Sequence, residues 1–315
     1  MDIESICLVG GSGFVGSAIA RQATRSGLRV RVLTRHPERS RHLTVLPTLE
    51  LAAGDARDDR ALARAFEGMD AAVNLVGILH PGRGRSFESL HAELPGRLAR
   101  AARASGIQHL VHVSALGASA TAPSEYLRTK AAGESALRAE TGPVPWTVLR
   151  PSVIFGQGDR FLNLFATLVR LFPVIPLAAA NARFQPIWVE DVARCCLAAL
   201  GDPRSAGRVL ELCGPRSYTL AELVRTVATA LGRRRAIVPL PAALGKLQAF
   251  VLEHLPGQLM TRDNLRSMSV DSVCSGWMDA PCAFEPAALE AVLADYLGSN
   301  SAEARYTRYR DLAGR

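Results

Sequence analysis

The chain has 315 residues, 48% of them apolar, with 37 basic and 29 acidic side chains and a net charge of +8. It is long enough to bury a large core as one extended domain or two, and too apolar to be a disordered polyelectrolyte. The basic excess is spread along the chain, with only a short cluster at Arg233–Arg235 and no aromatic interleaving, which argues against a nucleic-acid partner.

Met1-Asp2-Ile3-Glu4 carries neither a basic and apolar secretory leader nor an Arg-rich amphipathic one, so a cytoplasmic location is expected. Ser5–Val9 is a short apolar run of the kind that forms a buried parallel strand, and the small residues Ser17–Ala23 continue as a helix. Between them stands Gly10-Gly11-Ser12-Gly13-Phe14-Val15-Gly16, a glycine-rich strand-to-helix turn. Gly10 permits the tight turn, Gly13 lets backbone amides approach a pyrophosphate, and Gly16 lets the helix pack closely on the sheet. The whole loop from Gly10 to Gly16 is therefore a candidate dinucleotide cradle.

Leu28–Leu33, Leu49–Ala53, Ala71–Val76, Leu110–Val113 and Thr147–Leu149 read as further strands with amphipathic helices between them. A helix over about Phe87–Ser105 carries Leu90, Leu94, Leu98 and Ala102 at helical spacing and ends at Gly106. The expected class is α/β: a doubly wound parallel sheet with a smaller, interleaved C-terminal α/β lobe. The nucleotide-binding domain is expected over 1–155, with a return segment at about 186–214 through Ile187–Leu200 and Val209–Cys213. The smaller lobe is expected over 156–185 and 215–298, followed by a polar tail over 299–315.

The most apolar stretch, Leu162–Ala182, is interrupted by Arg170, Pro173 and Pro176 and fails as a membrane span. Phe161–Leu177 and Ala242–Leu255 are apolar enough to form either the core and pocket wall of the second lobe or a docking face, and Ala242–Leu255 could also lie on a membrane surface, against which its few cations argue. The six cysteines, Cys7, Cys195, Cys196, Cys213, Cys274 and Cys282, show no Cys-x-x-Cys spacing and stand near no histidine cluster. Reduced thiols and no metal site are expected.

A dinucleotide fold distinguishes its cofactors about twenty residues past the glycines, where an acid binds the ribose 2′-hydroxyl or an arginine accepts a 2′-phosphate. Here that place reads Leu33-Thr34-Arg35-His36-Pro37-Glu38-Arg39. No acid closes the strand, and Arg35, with Arg39 or Arg41, supplies cations, so NADP(H) is favoured over NAD(H). Asp55 and Ala56 follow the third strand, where Asp55 can reach the adenine edge or cap the next helix. Val76 and Gly77, at the end of the fourth strand, offer backbone alongside the cofactor.

Tyr126 and Lys130 are four residues apart in a helical stretch, so their side chains share one face. Lys130 can hold a nicotinamide ribose and favour the tyrosinate, and Tyr126 can exchange a proton with a substrate alcohol or ketone. Lys130 and Lys246 are the only lysines among 37 basic residues. A chain that otherwise uses arginine places one of its two compact ammonium groups here.

The glycine turn, Tyr-x-x-x-Lys and Arg150-Pro151-Ser152-Val153-Ile154-Phe155-Gly156 resemble the extended short-chain dehydrogenase/reductase superfamily, of the NAD-dependent epimerase/dehydratase type. Within it, Tyr126–Glu134, Arg150–Asn163, Gln185–Val192 and Thr261–Met268 resemble the atypical branch that contains the nucleotide-binding accessory subunit of respiratory complex I. The resemblance covers nearly the whole chain. It implies a Rossmann lobe with bound NADP(H), adding Pro151 and Val153 to the cofactor contacts. Active members add a serine or threonine that polarises the substrate oxygen and an asparagine that organises a water relay. Ser114 stands at the first position, as a catalytic or a structural residue, and His91 stands where the asparagine would fall. Arg160, Asn163 and Gln185 are candidate substrate contacts.

Two functions follow. One is an NADP(H)-dependent oxidoreductase or epimerase acting on a small alcohol, ketone or sugar-like substrate. The other is a non-catalytic, NADP(H)-stabilised accessory or assembly subunit with a respiratory-complex or membrane-peripheral partner. A bacterial cytoplasmic protein, free or peripheral to the inner membrane, accommodates both.

Overall fold

The computed structural model describes residues 3–82, 84–254, 260–276 and 281–297. The polar tail expected at 299–315 lies outside the described residues. The chain forms two compact units. The first takes the described residues up to Pro151 with Val189–Leu212 and Cys274–Phe284; the second takes Ser152–Trp188, Cys213–Val273 and the described residues from Glu285.

In chain order the first unit begins with β1 (Ser5–Val9), α1 (Phe14–Arg25), β2 (Arg29–Thr34), β3 (Leu49–Ala53), α2 (Asp59–Phe66) and β4 (Ala71–Asn74). It continues with α3 (Leu94–Ala104), β5 (His109–Val113), α4 (Glu125–Glu140) and β6 (Trp146–Pro151). The second unit contributes β7 (Ile154–Phe155), α5 (Phe161–Leu171), β8 (Val174–Leu177), β9 (Arg183–Phe184) and β10 (Ile187–Trp188). The first unit then adds α6 (Val189–Gly201) and β11 (Arg208–Leu212). Finally β12 (Tyr218–Thr219), α7 (Leu220–Ala230), β13 (Ala236–Pro239), α8 (Ala242–His254), α9 (Arg262–Ser267) and α10 (Leu289–Leu297) belong to the second unit.

The first unit is built on a seven-stranded sheet ordered β11-β6-β5-β4-β1-β2-β3, parallel at every pairing. β1 and β5 are buried along their whole length, as strands covered on both faces are, and β5 carries His109 and His112 among its apolar residues. Helices α1 and α6 pack against each other, as do α2 with α3 and α3 with α4, giving a doubly wound Rossmann-type sheet. Chain direction across the sheet reverses between β1 and β4, and a ligand crevice in such a fold lies beyond the carboxyl ends of those two strands.

The return segment differs from its expected form. Val189–Gly201 is a helix whose apolar residues recur at helical spacing, and β11 alone rejoins the sheet. Cys213 and Cys274 are each in disulfide form, which corrects the expectation of six reduced thiols; spacing along the chain does not reveal which sulfurs are oxidised. Cys7, Cys195, Cys196 and Cys282 are buried free thiols.

The second unit consists of short strand pairs, β7 with β10, β8 with β13 and β9 with β12. Helices α5, α7 and α10 close around a core that includes Phe155, Phe165, Ile175, Leu223 and Leu293.

Candidate nucleotide and proton-transfer site

The turn after β1 is shaped by what its glycines lack. Gly10 has φ +86, and a side chain there would press on the Leu75–Val76 backbone at 3.1 Å. A Cβ on Gly11 would sit 2.7 Å from the Leu8 Cβ, and one on Gly16 only 2.4 Å from the Gly11 Cα. The helix therefore starts in direct backbone contact with the turn. Gly13 is the N-cap of α1 and supplies no side-chain acceptor, and the first turn carries no acid. The orphan amides of that turn and the positive end of the helix form a cradle for an anion. Ser12, Phe14 and Val15, the residues between these glycines, are half-buried. These features fit a dinucleotide pyrophosphate.

Arg35 is exposed immediately past β2, with Arg39 and Arg41 exposed beyond it. Asp55 lies within electrostatic reach of Arg35 and is chelated by Arg57, with Nη2 to Oδ2 at 2.7 Å and Nε to Oδ1 at 3.1 Å. The Arg57 hydrogen bonds hold the Asp55 carboxyl below its usual range. Capping of α2 falls to Asp58, whose Oδ1 accepts from the Arg60 amide at 3.0 Å, so the capping role left open for Asp55 is corrected. Ala56 packs half-buried against the core beside it.

After β4, Asn74 Oδ1 accepts from the Val76 amide at 3.1 Å and fixes the loop through Gly77. The space a Gly77 side chain would occupy lies 3.4 Å from Lys130 Nζ and 3.8 Å from His91 Nε2. Lys130 is 4% exposed and donates to the Val113 carbonyl at 3.1 Å. Burial lowers its pKa to about 8, against the opposing pull of Glu134. Tyr126, one turn earlier on α4, is half-buried with its ring edge-on to His91 and Phe87. Burial pushes its phenol up to about 12. The ammonium beside a backbone glycine and the phenol on the same helix face are thus brought together, with the phenol protonated at neutral pH.

His91 joins this group from a segment of π-helical geometry over Glu88–Glu93, which precedes α3. Pro95 has no N–H to give the carbonyl four residues before it, that of His91, and the helix widens there. That carbonyl points at Gly133, where a Cβ would come within 1.9 Å of it. The His91 ring accepts from the Ile78 amide at Nε2, 3.0 Å away, so its proton is on Nδ1, which faces the Thr129 hydroxyl at 3.4 Å. Thr129 in turn donates to backbone carbonyls of Glu125 and Tyr126. Burial, assisted by the Lys130 charge, lowers the His91 pKa to about 3.

Ser114 donates to Glu134 Oε1 at 2.6 Å. Glu134 is 1% exposed and accepts Arg150 through both oxygens at 2.8 and 2.7 Å. The structural reading of Ser114 is therefore the one its geometry supports: its hydroxyl completes a buried carboxylate cluster. Pro151 ends β6 in the first unit. In the second unit, Val153 is half-buried, Arg160 is exposed, and the side-chain amides of Asn163 and Gln185 serve the unit's own backbone, bonding Asp159 O at 2.8 Å and Gly214 O at 2.7 Å. Sequence reading missed Glu134, Arg150, Thr129 and the buried Asn74–His112 pair, Nδ2 to Nδ1 at 3.0 Å.

Three buried histidines give the first unit an acid limit. Burial lowers His91 to about 3 and His109 to about 4, and holds His112 well below the ordinary histidine value. The unfolded chain takes these protons near the ordinary value of 6.5. The stability they contribute is therefore complete above that value and is lost as the pH falls toward the folded values. The expected loss is about 1.4 kcal/mol per pH unit for each histidine that stays neutral. Urea unfolding at about pH 7 and about pH 5 measures it; unchanged stability would contradict neutral burial.

Residues 10–203 match the NAD(P)H-binding family. The chain belongs to that family, whose match spans more than half of its length. It is 31% identical over 282 residues to the mitochondrial NADH dehydrogenase [ubiquinone] 1 alpha subcomplex subunit 9 of Arabidopsis thaliana, covering 84% of this chain and 70% of that one. The mouse subunit of that name is 32% identical over 238 residues, 74% of this chain, which spans 62% of the mouse protein's length. A ceramide reductase of Caulobacter vibrioides is 32% identical over 243 residues, covering 75% and 73%. Among solved structures, UDP-glucose 4-epimerase of Thermotoga maritima aligns with a TM-score of 0.70 over 97% of this chain and 99% of its own, at 16% identity, a likeness of fold. Among the described residues no helix is long and apolar enough to cross a membrane, and no group of side chains could hold a metal ion.

Proposed function

We propose that this protein is an NADP(H)-dependent oxidoreductase acting on a small alcohol, ketone or sugar-like substrate. Tyr126 is the proton-transfer group and Lys130 its cationic neighbour, with epimerisation as the related chemistry. The observation that carries this is the buried Lys130 ammonium, held by the Val113 carbonyl beside Gly77 and one helical turn from Tyr126. When bound, the nicotinamide cofactor supplies or accepts a hydride. The chain's own residues handle the proton: with its pKa near 12, Tyr126 is poised as the donor to a ketone oxygen. In the reverse direction the Lys130 charge favours the tyrosinate that must accept it.

Exposed Arg35 past β2 supports NADP(H) over NAD(H), as the cation for a 2′-phosphate. Replacing it, Arg35→Ser, is expected to weaken NADPH binding roughly 10- to 100-fold and leave NADH binding unchanged, read by fluorescence titration. Equal affinity for both cofactors in the parent protein would remove the preference. Consumption of NADPH in the presence of a panel of small and lipid-borne ketones tests the oxidoreductase reading itself.

A second reading is favoured by Ser114, whose hydroxyl is committed to Glu134, and by the relatives named as NADH dehydrogenase subunits. In it the protein is an accessory or assembly subunit of a respiratory complex, and bound NADP(H) stabilises the fold without turnover. A cytoplasmic location, peripheral to the inner membrane, fits either reading.

A further inference from the structure

We infer that the face of the second unit formed by Leu171–Val174, the outer side of β8–β13 and the outer side of α8 docks on an anionic lipid bilayer surface. Among the described residues, nine of the eleven large apolar side chains that are exposed belong to the second unit, against Val45 and Leu79 in the first. In the β8–β13 pair, Val174 lies opposite Ala236 and Pro176 opposite Val238, and these four are exposed while Ile175 and Leu177 turn inward. Leu171 and Phe172, 67% and 50% exposed, lead into β8.

Helix α8 follows β13 and is seated on β8 by its narrow side. The Gln248 side chain bonds the Ala178 amide at 3.3 Å and the Pro176 carbonyl at 2.9 Å, and the absent side chain of Gly245 admits Ala178. Only Gly245 and Ala249 are buried. Leu244, Leu247, Phe250 and Val251 fall on the opposite side, between 47% and 58% exposed. A helix on a water-facing surface presents polar residues outward; this one presents a second apolar face.

The charges around the face select the occupant. Residues 170–177 and 233–254, which form the face and lead into it, contain five basic side chains, Arg170, Arg233, Arg234, Arg235 and Lys246, and one acid, Glu253. Arg170, Arg233, Arg234 and Lys246 are exposed. That acid, Glu253, is paired with Arg262 at 2.8 Å, and the Arg262 guanidinium lies 5.5 Å from the Phe250 ring centre. Apolar side chains bordered by an excess of cations, with the one acid of α8 paired to Arg262, match the acyl boundary and anionic headgroups of a bilayer.

The test is cosedimentation of the full chain with phosphatidylcholine vesicles, with and without phosphatidylglycerol, at low and high salt. Binding at least about tenfold stronger to the anionic vesicles and weakened by salt is expected. Leu247→Ser with Phe250→Ser is expected to reduce it by more than about tenfold. Arg233→Glu with Arg234→Glu is expected to abolish the preference for phosphatidylglycerol. All four residues are exposed, so both variants retain their thermal transition and NADPH binding. Failure to bind anionic vesicles at low salt overturns the inference, as does binding that neither variant alters. Binding only to native membranes that contain proteins reassigns the face to a protein partner. A change in oligomeric state in the Leu247/Phe250 variant reassigns it to a second copy of the chain.

Discussion

The Tyr126→Phe variant is expected to lose turnover by about 10²- to 10⁴-fold while binding NADPH as the parent protein does. Phenylalanine keeps the ring that meets His91 and Phe87 edge-on, at 5.4 and 6.0 Å between centres, so these ring contacts are retained while the hydroxyl is removed. Steady-state rates with a substrate identified from the ketone panel, together with a nucleotide titration, separate the two effects. A variant that turns over at the parent rate would place the proton route elsewhere. The pH dependence gives a second reading of the same chemistry. Lys130, with a pKa near 8, loses its charge within the accessible range, so the rate of the alcohol-oxidising direction carries an inflection near that value in the parent protein.

The second large effect is structural. Removing the carboxylate in Glu134→Ala leaves the Arg150 guanidinium and the Ser114 hydroxyl without their shared acceptor, and the carboxylate itself is 1% exposed. Breaking a buried pair from one side costs about 3–5 kcal/mol, and Arg150 is three-quarters shielded, which places the expectation near about 3 kcal/mol. The Arg138 contact at 3.2 Å, an exposed pair one turn along α4, adds little. Urea unfolding measures the loss, and Glu134→Gln, which keeps an acceptor for Ser114, is expected to fall between the parent and the alanine variant. A loss below about 1 kcal/mol would show that the cluster is not what joins α4 to β6.

Both variants also separate what the residue pattern made legible from what it hid. The glycine turn could be read because its reasons are local: a positive φ at Gly10 and the contact of Gly16 with Gly11 are imposed within seven residues of chain. Tyr126 and Lys130 could be read for a similar reason, since a four-residue spacing on a helix fixes a shared face. The Glu134 cluster could not, because its partners come from the end of β5 and from β6, and a glutamate four residues past a lysine on a helix reads as a surface ion pair. Likewise His91 stands in a helical run whose spacing is ordinary. Only Pro95, which cannot serve the His91 carbonyl, marks the widened turn that brings the ring to Ile78, Thr129 and Gly77. In the second unit the strands are two to four residues long, too short for any alternation to declare itself. Ser114 shows the limit of resemblance: the residue type and strand end match a catalytic position, yet a carboxylate twenty residues away takes its hydroxyl.

The most direct test of the account is the identity and exchange of the bound nucleotide. Small molecules released from the denatured, as-purified protein are analysed by mass spectrometry, alongside thermal shifts with NADPH, NADP, NADH and NAD. The account predicts NADP(H) in the released fraction or a larger stabilisation by NADPH than by NADH, with free exchange where the protein turns over and retention through dialysis where it holds the nucleotide structurally. No released nucleotide and no shift with any of the four would contradict it.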